Sequence, residues 1–545
     1  MAAHGKALSK TSGMVAAAQP EAVEAGLEAF KAGGNAVDAA IATALVQTAV
    51  DPQMCGIAGF GSLQVYDPAK GVHICHDFHG RAPLAVRPDM WERLLIGEAE
   101  DGFGFLLEGR VNELGYGAIT SPMTLKGLAE ASARYGRLTF KDLLAPAIAY
   151  ARDGFMVRPH VAAYWAQVPT EGRAPHAEVL TKLPATRKIY AKPDGSLRKV
   201  GEILKNPDMG TTLERVAQGG VEEFYQGTIA RQIAADMAAH GGLITLADLK
   251  AAQPETVEPL WGSYRGLKIA TNRPPGGGVM LIEMLNILEN FDLKAMGHNS
   301  PDYIATVAEA MKMATVDKDA KVGDPRFVTV PLAELTSKDY AKPLADRIKR
   351  GEKTHVPRLR GGQKESADTT HVVAVDETGA CATMTHTLGT PSGVVTDGLG
   401  FMYNGAMAVF DPRPGRVGSL APGKSRFSSM APSILFKDGK PMLVIGAPGG
   451  TYIAMGILQA ILNVVEFGMN ALEAVSAPRF NATSDTLDIT NRILRSTEAD
   501  LKRRGYPVRR WPLTFHFAGV HAIRIVDGKL DGAADPGRDG MAMAV

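Results

Sequence analysis

The stretch "AVDAAIATALVQTAV", residues 36–50, most constrains the fold. It has helical character but is small-residue rich and apolar most of the way round, so it cannot lie on a surface with one face in water. It has to be buried between layers. Asn35 is placed to cap its start, and Asp51-Pro52 ends it. The preceding segment "EAVEAGLEAFKAGG" carries Val23, Leu27 and Phe30 at helical spacing and stops at Gly33-Gly34. Strand patterns follow: "SLQVYDPAKGVHICHDF" reads as two strands around a Pro/Gly turn. Residues 120–250 are mainly helical, and "GLKIATNRPPGGGVMLIEMLNILENFDL" is strand, Gly-rich loop and long helix. Beyond Thr369 strands become dense, interrupted by helices in "TYIAMGILQAILNVVEF" and "TEADLKRRGY". Helices and strands mix in both halves, so the class is α/β or α+β with packed layers.

The bulk numbers exclude several classes. The 545 residues can bury a large core, as one large domain or two intertwined ones. Lys and Arg number 59 against 58 Asp and Glu, which leaves no electrostatic footprint for nucleic acid. Cys55, Cys75 and Cys381 are scattered and odd in number, which suits a reducing compartment and not a disulfide framework. The first residues carry no apolar stretch of signal-peptide length, and no run of about 18 apolar residues is present. A cytoplasmic protein without a membrane span is expected.

Three motifs invite chemistry and fall short of it. "CGIAGFG", residues 55–61, is GxxGxG between a helix and a strand, and not the GxGxxG of a strand-to-helix turn. Its glycines are read as close backbone packing. "RPPGGGVM", residues 273–280, lacks the GK[ST] of a phosphate loop and is read as a tight connection near a pocket. "HICHDFHGR", residues 73–81, holds His73, Cys75, His76 and His79, but a strand turns His73 and Cys75 to one face and His76 to the other. No metal and no cofactor is expected; the strand end at His79-Gly80-Arg81 is placed to reach a pocket.

"TTHVVAVDETGACATMTHTL", residues 369–388, reads as a β-hairpin turning at Asp376–Gly379. Pairing Asp376 with Gly379 sets residue 369 opposite 386; a one-residue change of register sets it opposite Thr387. Either way Thr387 is expected beside Thr369. Further on, residues 442–445 form a buried strand that ends in "GAPGG", with a helix starting near Thr451. Amides of Gly449 and Gly450 at a helix start could hold an oxyanion.

Taken together, the pieces "GMVAAAQPEAVEAGLEAFKAGGNAVDAAIAT", "ARDGFMV", "PPGGGVMLIEMLNILENFDL", "DTTHVVAVDETG", "SSMAPSILFKDGKPMLVIGAPGG" and "GAADPGRDGMA" resemble the γ-glutamyltransferase family of N-terminal-nucleophile hydrolases, in that family's order and over nearly the whole chain. The resemblance implies an inactive precursor that cleaves its own Asp368–Thr369 bond. A large subunit 1–368 and a small subunit 369–545 would stay together as a heterodimer, or a higher assembly of it, in a four-layer αββα sandwich. It implies that Thr369 is the nucleophile, with its freed α-amine as base, and that Thr387 orients it. Gly449 and Gly450 match the oxyanion pair, and Ser428 and Ser429 match serines that hold the substrate carboxylate.

The departures bear on substrate. The family's carboxylate-binding arginine falls at His79, with Arg81 two residues on; the asparagine after the second threonine is Gly389; the glutamine and aspartate that take the α-ammonium fall at Ala406 and Val409. A buried ammonium without an acceptor carboxylate is costly. The expected activity is therefore hydrolysis of a small amide with an anionic acyl group lacking the α-amine, as in acylase or oxamate-amidohydrolase relatives, with Ser428, Ser429 and either Arg81 or His79 on the carboxylate. The competing expectations are a genuine γ-glutamyltransferase with a rearranged head-group site, and a processed but non-catalytic binding protein.

Overall fold

Asn35 opens the buried helix as the sequence predicts. In the computed structural model, which describes residues 13–100, 102–167, 173–359 and 368–545, its Oδ1 accepts from Val37 N and Asp38 N. Asp38 Oδ2 returns the bond to Asn35 N at 2.9 Å, which completes a capping box. The helix runs Ala36–Val50, and every residue in it is buried. Its neighbours explain why. It packs on helices Pro20–Lys31 and Phe140–Asp153 on one side, and on strands Asp368–Asp376 and Cys381–Gly389 on the other. Truncating a fully enclosed side chain such as Leu45 to Ala would cost about 2–5 kcal/mol.

Those two strands are central in a seven-stranded antiparallel sheet. Its spatial order is Gly540–Ala544, Gly13–Ala18, Asp368–Asp376, Cys381–Gly389, Phe60–Asp67, Val72–Phe78 and Glu255–Val257. A six-stranded antiparallel sheet packs on its other face, in the order Lys529–Ala534, His521–Val526, Lys440–Gly446, Ser433–Lys437, Leu267–Thr271 and Leu260–Tyr264. Helices Gly278–Leu288, Ile453–Val465 and Ala471–Ser476 contact this second sheet. Between the sheets lies a core of Val373, Val375, Ile434, Val444 and Ile523. Val372, Ala374 and Met384 belong instead to the larger core that includes the helix layer. The alternation of the hairpin thus divides its side chains between two cores, as strand geometry requires.

The false friends resolve as packing. A Cβ on Gly59 would collide with the Thr387 carbonyl, and one on Gly61 with Thr385 O and the Phe78 ring, so these glycines let neighbouring backbone close on the second hairpin strand. Cys75 Sγ reaches Thr271 O on the second sheet, and His73 packs against Trp261 and Phe436 there. His76 points the other way, to Thr256 Oγ1 at 2.9 Å and the Phe78 ring, so the four residues do not converge. All three cysteines are buried as free thiols. Among the described residues no helix is long and apolar enough to cross a membrane. The signal-peptide reading of the first twelve residues, and the "ESA" that precedes Asp368, lie outside the described residues.

Candidate active site

The two adjacent threonines have different surroundings. Thr370 Oγ1 accepts from Gln47 Nε2 at 2.9 Å, in the buried helix, and Gln47 Oε1 meets His386 Nε2 at 3.0 Å. Thr369 instead donates to Thr387 Oγ1 at 3.2 Å, and both hydroxyls line a small cavity. The register is the second of the two predicted. Thr370 pairs with His386 and Asp376 N bonds to Ala380 O, while a bulge between Asp368 and Thr370 brings Asp368 opposite Gly389. Thr369 sits at that irregularity, where a bulge re-aims a side chain. Gly389 N donates to Thr387 Oγ1 at 2.8 Å, which fixes the hydroxyl that receives Thr369.

Below this pair the strands carry a polar ladder. His371 Nδ1 meets Thr385 Oγ1 at 2.8 Å and its Nε2 meets Thr383 Oγ1 at 3.1 Å. A Cβ on Gly446 would collide with the His371 ring, so the glycine makes room for it. Burial, with His521 and His386 nearby, holds the His371 imidazole well below the usual histidine range. A neutral imidazole held by two hydroxyls stiffens the strand and adds no charge.

The "GAPGG" turn delivers Gly450 to the cavity. A 3-10 turn, Gly450–Tyr452, precedes the helix Ile453–Val465, so the helix begins slightly later than the sequence suggests. Gly449 has φ +137° and Gly450 φ +54°, and a Cβ on Gly449 would collide with Ala518. Neither amide donates to a protein acceptor among the described residues. Gly449 itself is not among the residues lining the cavity. Ser428 and Ser429 do line it. The "RPPGGG" loop holds their segment from behind: Ser428 N donates to Pro275 O at 2.8 Å and Gly277 N to Met430 O at 2.8 Å. That loop is the tight connection near a pocket that the sequence suggests.

His79 and Arg81 are elsewhere. They line a second, larger cavity with Asp77, Glu255, Asp324 and Arg326, and are not among the residues lining the Thr369 cavity. His79 Nδ1 is bound to Asp77 Oδ1. Arg81 Nη2 bonds Glu255 Oε1 at 2.8 Å, and Arg326 Nη2 bonds Asp324 Oδ2 at 2.6 Å. Most charges in this second cavity are paired; Arg273, which also lines it, bonds the Glu258 carbonyl instead.

The cations beside Thr369 are Lys318 and Arg426. Lys318 is paired with Asp319. Arg426 is 6% exposed, and burial pulls its guanidinium down to about 9, so it is still charged at neutral pH. Val409 lines the cavity and Ala406 is buried in the same short turn, Ala406–Val409. No Asp or Glu lines the cavity among the residues whose side chains are described, which leaves out Asp101 and Asp368. Sequence reading passes over Arg426; the only available signal is its place two residues before the serine pair.

The family model described as Gamma-glutamyltranspeptidase matches residues 22–545. The chain belongs to this family. Among its relatives, the Acylase ACY 1 proenzyme of Pseudomonas sp. (strain V22) is 38% identical over 98% of this chain and 93% of its own length. The Glutathione hydrolase proenzyme of Escherichia coli (strain K12) is 35% identical over 96% of this chain and 90% of its own. The crystal structure of cephalosporin acylase from Bacillus halodurans superposes with a TM-score of 0.85 at 29% identity, covering 98% of this chain and 96% of that one. The gamma-glutamyltranspeptidase family thus includes both acylase and glutathione hydrolase relatives of this chain, and the mixed α/β architecture is shared with an acylase.

Proposed function

We propose that this protein is a self-processing amide hydrolase with Thr369 as N-terminal nucleophile, acting on a small amide whose acyl part is anionic and lacks an α-ammonium. One observation carries the reading: the Thr369–Thr387 hydroxyl pair opens on a cavity with two cations and, among the described side chains, no carboxylate. Relatives named as proenzymes support the processing, and those named as acylases support the substrate class.

Processing would begin with Thr369 Oγ1 attacking the Asp368 carbonyl. The Oγ–C bond forms, the Oγ1 proton passes to the Thr369 nitrogen as the peptide C–N bond breaks and frees the amine, and water hydrolyses the ester to release the Thr369 hydroxyl and the Asp368 carboxyl group. Fragments 1–368 and 369–545 would remain in one four-layer αββα sandwich. In turnover the amine, with an ordinary pKa of about 7.7–8.0, takes the Oγ1 proton as Oγ1 attacks the substrate carbonyl. Thr387 Oγ1 orients the attacking hydroxyl, and Gly449 and Gly450 amides meet the oxyanion. The proton passes to the leaving amine as the C–N bond breaks, and water or a second amine then takes the acyl group from Oγ1.

Intact-mass measurement tests the processing, and a panel of anilides tests the substrate. Two fragments with the small one beginning at Thr369, and turnover of a dicarboxylic monoanilide, are expected. A chain that never cleaves sinks the enzyme reading. Strong turnover of a γ-glutamyl anilide would instead favour a genuine γ-glutamyltransferase with a rearranged head-group site.

A further inference from the structure

Among the described side chains Arg426 is a buried cation without a counter-charge. Its Nη1 donates to the neighbouring Phe427 carbonyl at 3.0 Å, and its Cζ stands 4.9 Å from the Phe60 ring centroid. Neither contact neutralises it. Its Nε is buried with no acceptor, and Nη2 has no partner among the described residues. The Nε–Nη2 edge is one of the sides by which a guanidinium takes a carboxylate in two parallel bonds. Isolated buried charges are expensive, and proteins ordinarily pair them. The other arginines discussed above follow that rule: Arg81 has Glu255 and Arg326 has Asp324. Lys318, in the same cavity, has Asp319.

The backbone around Arg426 leaves it room. Gly389 has φ +78°, and a Cβ there would lie 3.5 Å from Arg426 Nη2 and 3.3 Å from the Phe60 ring. Asn tolerates such a backbone, but any side chain beyond that Cβ would crowd the Phe60 ring and the guanidinium it touches. The glycine therefore opens the volume, and the same residue's N–H fixes Thr387. Arg426 is thereby tied through one residue to the hydroxyl pair.

We propose that Arg426, in the space Gly389 leaves open, is the specificity-determining residue that receives the acyl carboxylate of the substrate. This rests on Thr369 as the nucleophile only for its position relative to the scissile bond. A dicarboxylic monoamide would pair its free carboxylate with Arg426. A γ-glutamyl group would bring an ammonium beside Arg426 and Lys318, with no acid among the described side chains that line the cavity to receive it.

The test compares glutaryl anilide with the uncharged valeryl anilide on wild type and Arg426→Gln, with intact mass to verify processing. Truncating one partner of a buried charge pair costs roughly 30- to 5,000-fold. That loss is expected in kcat/KM for glutaryl anilide, mainly through KM, with valeryl anilide changed less than about threefold. Arg426→Lys should recover part of the loss, and Gly389→Asn should reproduce it in part while the charge remains. Equal losses on both anilides would reduce Arg426 to a structural role, and an unchanged glutaryl rate would overturn the proposal. Glutarate binding by calorimetry separates this claim from the parent reading. If wild type cleaves neither anilide, the proposed function fails; glutarate binding that disappears in Arg426→Gln would still support the residue's role. Glutarate binding that is absent in wild type, or indifferent to Arg426, would refute it.

Discussion

Two cavities lie near one another in this protein, and both are lined by arginine. Around His79 and Arg81 two of the three lining arginines meet a carboxylate: Arg81 pairs with Glu255 and Arg326 with Asp324, while Arg273 bonds the Glu258 carbonyl. Around Thr369 the arginine meets a ring, a carbonyl and empty volume. The first cavity holds its charges largely in pairs; the second, on the proposal above, would be completed by a substrate anion. Unmatched buried charge, more than cavity size, marks where a substrate belongs.

The largest effect that could break this contrast comes from Thr369→Ala. It should leave one uncleaved chain and lower amide turnover by at least about 10⁴-fold, the order seen when a nucleophile is removed. Surviving activity, measured with glutaryl anilide, would move the chemistry to the other cavity.

Next comes a buried histidine that has two carboxylate partners. His160 Nδ1 lies 2.6 Å from Asp539 Oδ2 and its Nε2 3.4 Å from Asp51 Oδ1. Burial alone would pull its pKa down, but the hydrogen bonds and charges of the two aspartates raise it to about 9. The folded value lies above the ordinary 6.5, so the stabilisation is complete below pH 6.5 and is lost as pH rises through about 9. At about 1.4 kcal/mol per pH unit it amounts to about 3 kcal/mol. In the uncleaved Thr369→Ala chain, His160→Gln should lower the denaturation midpoint clearly at pH 6 and little at pH 10. A gap that is the same at both pH values would show that His160 acts by packing and not by charge.

Thr387→Val retains shape and removes the hydroxyl that meets Thr369. A lost buried hydrogen bond of about 1–3 kcal/mol predicts a roughly 10- to 100-fold drop in kcat and slower processing, read by time-resolved mass measurement. The smallest effect belongs to Arg81→Ala. It breaks a partly exposed pair in the matched cavity, worth about 1 kcal/mol or less, and should alter kcat/KM for glutaryl anilide less than about fivefold. A large loss there would make the second cavity part of the site.

Much of this is readable along the chain because it is local. Asn35 caps the buried helix as predicted, with Asp38 completing a box; the alternation after Thr369 sends Thr370 toward Gln47 and Thr387 toward Thr369. The hairpin turn leaves only two registers, and the bulge at Thr369 accompanies the second. What is not readable depends on loops from different layers meeting. Strand alternation tells which way His79 and Arg81 face, and not which cavity they reach. Arg426 precedes the Ser433–Lys437 strand of the second sheet and Gly389 ends a strand of the first, so no periodicity joins them. The absence of acid at Val409 is visible in sequence; the cation left unmatched beside it is visible only once the chain is folded.

The central claim is that Thr369 carries the acyl group. Mature protein mixed with glutaryl anilide and quenched in acid should yield two fragments by intact mass, with the glutaryl increment only on fragment 369–545 and absent in any chain lacking the Thr369 hydroxyl. A single 57.8 kDa species, or an increment on fragment 1–368, would contradict the account.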